Sequence, residues 1–327
     1  CQNTTSGTVT DANGEFHLTL KEGGYDLIVS YSGYTTEVKR ISSTDELNSA
    51  LIFMKEKEQV MEEISIVVSN EVKNGMEKYG SFFLDEFLGR SENSKSCTID
   101  NPDVLKFFFY KKRNKLKITG TQDLLITNKA LGYRIRYQLD SFTHDYSSTV
   151  TQYTGYPFFE ELEGTEEEQT QWEINRRNAY EGSIQHFMRS YFAENLGKDG
   201  FKLETMNSSG KVSLIKNPYD STIMERDEEV VELHPENKLR VVFTNEKPES
   251  NYLKYHKLPL TTPFQISQLE LSESIIIEKN GYFYDQRDFL TIGYWSWEKL
   301  GDLLPYDYDP DGENTEEAEE DEEEKEN

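Results

Sequence analysis

The stretch that decides the front of the fold is TSGTVTDANGEFHLTLKEGGYDLIVSYSGY, from Thr5 to Tyr34. Apolar and polar residues alternate over residues 16–20 and again over residues 25–31, which is the period of a half-buried β-strand. A turn is predicted before each strand, because Asp11-Ala12-Asn13-Gly14 supplies side-chain acceptors and a glycine, and Gly23-Gly24 tolerates positive φ. The stretch therefore predicts a β-hairpin that pairs these two strands.

The same residues resemble a known family. Thr10-Asp11-Ala12-Asn13-Gly14-Glu15-Phe16, Gly24-Tyr25-Asp26-Leu27 and Ser30-Tyr31-Ser32-Gly33-Tyr34 are similar to the second half of a carboxypeptidase-regulatory-like domain. The resemblance implies a small prealbumin-like β-sandwich, common at the front of outer-membrane proteins in Bacteroidetes-type bacteria, and it implies scaffolding and adhesion instead of catalysis. The Gly-x-Val strand and Pro-Leu turn with which that family usually opens have no counterpart here.

Cys1 has two interpretations. A cysteine followed by the polar run Gln2-Asn3-Thr4-Thr5 is what signal-peptidase cleavage of a bacterial lipoprotein leaves behind, and the thiol would then carry the lipid anchor. Alternatively, the chain begins inside a longer domain, and Cys1 is the last core residue of a strand that was cut off. Both interpretations stay open.

The composition excludes several classes of protein. Lys and Arg number 35 against 61 Asp and Glu, which gives a net charge of −26, and a field of this sign repels nucleic-acid phosphates. No run of about 18 apolar residues occurs, so no helix is predicted to span a membrane. The two cysteines, Cys1 and Cys97, cannot form a four-cysteine zinc site, and Cys97 is predicted to be a small buried hydrophobe.

Behind the front stretch the pattern changes several times. Over residues 70–89 the helical spacing of Met76, Tyr79, Phe83, Phe87 and Leu88 predicts an amphipathic helix, with Gly89 as the stop. Residues 166–196 predict the longest helix, with Ile174 among its buried side chains. The tail from Asp307 has no apolar cluster and is predicted to be disordered. An antiparallel sheet is predicted from strands at residues 104–110, 115–119, 124–127 and 133–142. Later strands are predicted at residues 201–204, 238–244 and 274–278, and an Asn280-Gly281 turn follows the last of them.

The predicted fold is mostly β with helices, that is, α+β. A small prealbumin-like β-sandwich occupies residues 1–57, with its front strands apparently missing, and residues 58–90 hold a linker strand and the amphipathic helix. A larger antiparallel-sheet domain with long helices spans residues 91–305, and an acidic tail spans residues 306–327. Segments such as Phe82–Gly89 and Gly155–Leu162 also resemble a group of envelope proteins that carry the same front domain.

Two motifs near the end of the chain have competing explanations. Asp307-Tyr308-Asp309-Pro310-Asp311-Gly312 opens like a calcium loop, but position twelve is Ala318 instead of the bidentate Glu, which favours a solvated tail. Tyr294, Trp295 and Trp297 form a candidate binding cluster on which a sugar could stack, and the alternative is that they pack in the core. The five histidines show no spacing typical of a zinc peptidase, so no metal or cofactor is predicted.

The function that the sequence favours is that of a non-enzymatic lipoprotein at the outer membrane, anchored through Cys1 on either membrane face. It would act as an accessory or scaffold subunit of an outer-membrane β-barrel complex, in barrel assembly or in nutrient uptake. The alternatives are a glycan- or peptide-binding surface module that uses Tyr294, Trp295 and Trp297, and a hydrolase whose site is dispersed along the chain.

Overall fold

The computed structural model describes residues 1–42, 50–57, 70–227, 229–235, 238–284 and 289–311. The helices within these ranges are α1 (Gly75–Phe87), α2 (Glu166–Tyr180), α3 (Ile184–Phe192) and α4 (Ser250–Tyr255). The strands are β1 (Gly24–Val29), β2 (Glu37–Ser42), β3 (Cys97–Ile99), β4 (Leu105–Tyr110), β5 (Lys115–Gly120), β6 (Leu124–Asn128), β7 (Tyr133–Asp145), β8 (Val150–Glu161), β9 (Phe201–Met206), β10 (Val212–Leu214), β11 (Met224–Arg226), β12 (Val230–Leu233), β13 (Lys238–Phe243), β14 (Gln265–Leu271), β15 (Ile275–Glu278) and β16 (Phe289–Gly293). The predicted class, mostly β with helices, is confirmed.

The front of the chain forms a small two-stranded antiparallel sheet, β1 with β2, in which Tyr25 lies opposite Ile41. The predicted hairpin partner was wrong, because residues 16–20 alternate in burial but form no ladder with β1. Alternation of apolar and polar residues shows which face of a strand is apolar, but it does not show which other strand it pairs with. The turn at Asp11 is confirmed, since the Asp11 N–H donates to Glu15 O at 2.8 Å. The predicted linker strand at residues 64–68 lies outside the described residues.

The first core lies between α1 and a six-stranded antiparallel sheet. The sheet has the order β3-β6-β7-β5-β4, and β8 pairs with the long central β7. The strands predicted between residues 104 and 142 are confirmed, whereas β8 was not predicted. The rings of Phe83 and Phe87 on α1 pack edge-on against Phe142 and Tyr137 on β7, and they are fully buried. This aromatic packing explains the helical spacing of phenylalanines in α1.

The single long helix predicted for residues 166–196 is two helices. Gly182, at φ +79°, turns the chain between α2 and α3, and the Ser183 hydroxyl caps α3 by accepting from the His186 N–H at 3.1 Å. Ile174 was expected to be buried but is 50% exposed on α2. The helical period continues through the break, so the apolar pattern did not reveal it.

The second core lies between two sheets and α3. The five-stranded sheet has the order β10-β9-β13-β14-β16 and the three-stranded sheet the order β11-β12-β15. The strands predicted at residues 201–204, 238–244 and 274–278 are confirmed, and so is the turn at Asn280-Gly281, where the Gly281 N–H donates to Glu278 O at 2.9 Å. α4 lies between β13 and β14. Among the described helices, none has the length and hydrophobicity needed to cross a bilayer.

The two ends of the described chain meet. Residues 306–311, expected to begin a disordered tail, are ordered because they pack against the front of the chain. The Tyr306 N–H donates to Asn3 O at 2.6 Å, and the Asp307 carboxylate accepts from the Thr5 N–H at 3.0 Å. Residues 312–327 lie outside the described residues.

Candidate functional site

The aromatic cluster predicted from the sequence is part of the protein's interior. Tyr294, Trp295 and Trp297 are only 4–5% exposed, so none of them can offer a flat ring face to a sugar. The indole N–H of Trp295 donates to Gly182 O at 2.7 Å, and that of Trp297 donates to a Glu249 carboxylate oxygen at 3.1 Å. Buried rings with satisfied N–H groups stabilise a core, which rules out their use as a stacking platform.

Burial shifts the pKa values of Cys97 and His186. Desolvation raises the pKa of the Cys97 thiol to about 12, so it stays protonated at neutral pH. Cys97 was predicted to be buried, and it packs against the first core but is only partly buried. Burial also lowers the pKa of His186 to about 4, and its Nδ1 accepts from the Gly182 N–H at 3.1 Å. Within the described ranges, no three His, Cys, Asp or Glu side chains are placed to hold a metal ion.

Asp307, the first residue of the candidate calcium loop, is hydrogen-bonded to the front of the chain. The Asp307 carboxylate accepts from the backbone N–H and the hydroxyl of Thr5 and from the Ser6 hydroxyl. These bonds join residues 5 and 6 to residue 307. The later loop positions, Gly312 and Ala318, lie outside the described residues.

Two buried carboxyl groups were missed by sequence reasoning. Burial raises the pKa of Asp302 to about 7 and places the pKa of Glu298 well above its usual range. The Oδ2 atom of Asp302 is fully buried and has no hydrogen-bond partner, while Asn93 donates to Oδ1 at 3.0 Å. No local pattern distinguishes Asp302 from the many exposed acids, because its burial depends on contacts with a distant segment.

The front of the chain carries the most exposed large apolar side chains of the described residues. They are Val9, Phe53, Leu51 and Tyr31, with exposures of 87%, 78%, 77% and 68%, and we call them the N-terminal apolar surface. Leu51 and Phe53 are both exposed and the intervening Ile52 is partly buried, which is the alternation of two side chains that share a face. Sequence pattern alone does not show whether Leu51 and Phe53 are buried.

The segment that carries this surface is fixed to the rest of the protein. Residues 55–57 run antiparallel to residues 33–35, with the Thr35 N–H donating to Lys55 O at 2.8 Å. The side-chain amide of Asn280 donates to Gly24 O at 2.9 Å in a buried bond, and the guanidinium of Arg40 lies 3.9 Å from the Tyr284 ring centre.

Cys1 lies half-buried at the start of a segment that bridges two sheets. Next to it, the Gln2 N–H donates to Asp26 O on β1 at 2.9 Å, and the Asn3 N–H donates to Pro157 O on β8 at 2.7 Å. Proline lacks an N–H, so position 157 suits the outer side of β8, where residues 3 and 4 run beside it. The bridge fixes the N-terminal apolar surface relative to the first core.

Comparison with known proteins gives one result for the front of the chain. The model of the CarboxypepD_reg-like domain matches residues 1–67, which include β1, β2 and the N-terminal apolar surface. A search of curated proteins and a search of solved structures each found no match. Residues 1–67 therefore match a CarboxypepD_reg-like domain, and the resemblance seen in residues 10–34 is confirmed at the level of that domain.

Proposed function

We propose that this protein is a non-enzymatic accessory subunit of an outer-membrane β-barrel complex, and that it docks through the N-terminal apolar surface. A CarboxypepD_reg-like domain is typical of outer-membrane-associated proteins, which supports this location. Barrel assembly and nutrient uptake are the two roles that such a subunit could serve.

The observation that carries the proposal is where the exposed apolar side chains lie. Single exposed apolar residues are normal on any surface, but the four largest exposures among the described residues all fall within residues 1–67. Leaving Phe53 at 78% exposure forgoes about 2 kcal/mol of transfer free energy, which a partner could recover on binding. A contact surface on the domain that is typical of envelope proteins is the simplest reason for this arrangement.

The rigid attachment of the domain favours a scaffold. The front segment is bonded to β8, to the Asn280 turn and to residues 306–307, so a partner that binds the apolar surface would be held at a fixed orientation relative to both cores. A fixed orientation lowers the entropy cost of assembling a complex. Anchoring through a lipid on Cys1 is part of the proposal, and intact-mass measurement of the native protein tests it: an unmodified Cys1 removes the anchor.

The experiment is affinity purification of the native protein after mild detergent extraction, with the partners identified by mass spectrometry. Recovery of barrel-assembly proteins or of uptake receptors would support the corresponding role. The paired substitution Leu51→Ser and Phe53→Ser should abolish that recovery, while Ile174→Ser, which removes a 50% exposed aliphatic side chain on α2, should leave it unchanged. Purification without any outer-membrane β-barrel, or equal recovery with all variants, would refute the proposal.

A further inference from the structure

A cleft of about 350 Å³ opens beside the five-stranded sheet, between the turn that follows α3 and the β9–β10 hairpin. Its lining includes three lysines, Lys198, Lys202 and Lys216, and we call it the lysine cleft. Leu196, Phe201 and Leu203 also line it and are almost fully buried, so the cleft lies over the second core. Its volume is at the lower end of the range for small-molecule sites.

The three lysines are not neutralised by neighbours. In the part of the chain that the structure describes, none of their ammonium groups has an ion-pair or hydrogen-bond partner, and all three side chains are exposed. Lysine ammonium groups provide three hydrogen-bond donors each and no acceptor. The cleft therefore presents donors and positive charge to whatever enters it.

The acids near the cleft are already engaged. Glu194, the one acid in the lining, pairs with Arg226 at 3.0 Å. The Asp199 carboxylate accepts from the Ser190 hydroxyl at 2.7 Å, and Glu204 pairs with Arg240. Asp199 keeps its charge, because a hydroxyl does not neutralise it, and Asp220 is an exposed acid next to Tyr219. The three lysine charges still exceed these two acid charges, on a chain whose net charge is −26, so an anion would be attracted here more than to most of the surface.

We propose that the lysine cleft binds a phosphate-bearing group. A phosphate carries nearly two negative charges and several acceptor oxygens, so it matches three lysines better than a single carboxylate does. Tyr219 and Leu214 add an apolar side, and Leu214 is 59% exposed, so the body that carries the phosphate has a surface to contact. A soluble phosphate monoester has both properties, and a phosphodiester lipid headgroup has the same acceptor oxygens with one negative charge. The proposal is independent of docking through the N-terminal apolar surface.

The test uses the full chain and two probes. Glycerol phosphate is titrated by calorimetry at low and at raised salt, and sedimentation measures binding to phosphatidylcholine vesicles with and without phosphatidylglycerol. The paired substitution Lys198→Ala and Lys216→Ala should weaken binding by about tenfold or more, and binding should weaken with salt. Lys211→Ala makes the charge-matched control, since Lys211 is exposed in the β9–β10 turn and does not line the cleft.

Each outcome decides a point. Binding of glycerol phosphate identifies a soluble ester as the ligand class, and binding only to phosphatidylglycerol vesicles identifies a lipid headgroup. Failure of both probes to bind, or equal weakening by Lys211→Ala, would overturn the proposal. Zero-length cross-links between these lysines and the acids of residues 313–327 would overturn it too, since the chain's own carboxylates would then occupy the cleft.

Discussion

Replacement of Asp302 by asparagine tests whether a buried carboxyl group makes the stability of this protein depend on pH. The Oδ2 atom of Asp302 has no contact with solvent and no hydrogen-bond partner, although another part of the residue reaches the surface. Burial raises its pKa from 3.8 to about 7, the Ser91 hydroxyl opposes the shift, and the nearby Glu249 carboxylate adds to it. Asparagine keeps the oxygen that accepts from Asn93, and it cannot ionise.

The sign follows from proton binding. The pKa of this carboxyl group is higher in the folded chain than in the unfolded chain, so between the two pKa values the folded state binds more protons. The free energy of unfolding therefore falls as the pH rises from about 4 to about 7, and this contribution is constant above about pH 7. Over the two pH units from about pH 5 to pH 7, the free energy of unfolding of the wild-type protein would fall by about 2.7 kcal/mol. The exposed part of Asp302 reduces this figure, and we expect about 1–2.5 kcal/mol.

The assay is urea denaturation of the wild-type protein and Asp302→Asn at about pH 5 and about pH 8, monitored by tryptophan fluorescence. The variant's free energy of unfolding should rise relative to wild type by the expected amount between the two pH values. Asp123→Asn, at an exposed aspartate, controls for the loss of one charge from an acidic chain. A difference between Asp302→Asn and wild type that is the same at both pH values would refute a protonated Asp302.

Three further changes test the packing. Gly182→Ala should destabilise the protein by about 2–4 kcal/mol in thermal denaturation, because φ is positive and a Cβ would lie 2.5 Å from a glutamine oxygen; Gly197→Ala, with open space around it, should have little effect. Because its pKa is raised to about 12, Cys97 should react with iodoacetamide about a thousandfold more slowly than an ordinary thiol at neutral pH. The extent of labelling is measured by mass spectrometry, and rapid labelling in the folded state would contradict the raised pKa. Arg176→Lys should lower the free energy of unfolding by about 1.5–3 kcal/mol in urea denaturation, because a lysine cannot donate at once to Leu131 O and to the Glu161 carboxylate as the guanidinium does. Unchanged stability would show that these hydrogen bonds contribute little.

Local patterns in the sequence were enough for many elements. α1, the strands β4 to β7 and the Asn280-Gly281 turn were predicted because helical period, alternation and turn chemistry are properties of a few adjacent residues. β8 was missed because Gly155 and Pro157 interrupt its alternation, and its ladder with β7 compensates for them. The break between α2 and α3 has a glycine and a serine as signals, but the apolar period runs through them and favoured one helix.

The candidate sites depended much more on tertiary structure. The sequence identified Tyr294, Trp295 and Trp297 as a cluster, and only packing of α3 and α4 against the sheets showed that these rings are buried. The lysine cleft could not be predicted, since Lys198, Lys202 and Lys216 lie on a turn, on a strand and after a hairpin. Nothing in their spacing brings them together.

The sequence by itself therefore determined the class of fold and many of the helices and strands, because those follow from periodicity and turn residues that act over short distances. Its resemblance to a known family indicated the front domain. The tertiary structure decided which strand pairs with β1, which apolar faces are covered and which charged groups lack a partner. These depend on contacts between residues far apart in the chain, as when Asp307 bonds to Thr5, and the free energy of such contacts is not a property of any local stretch.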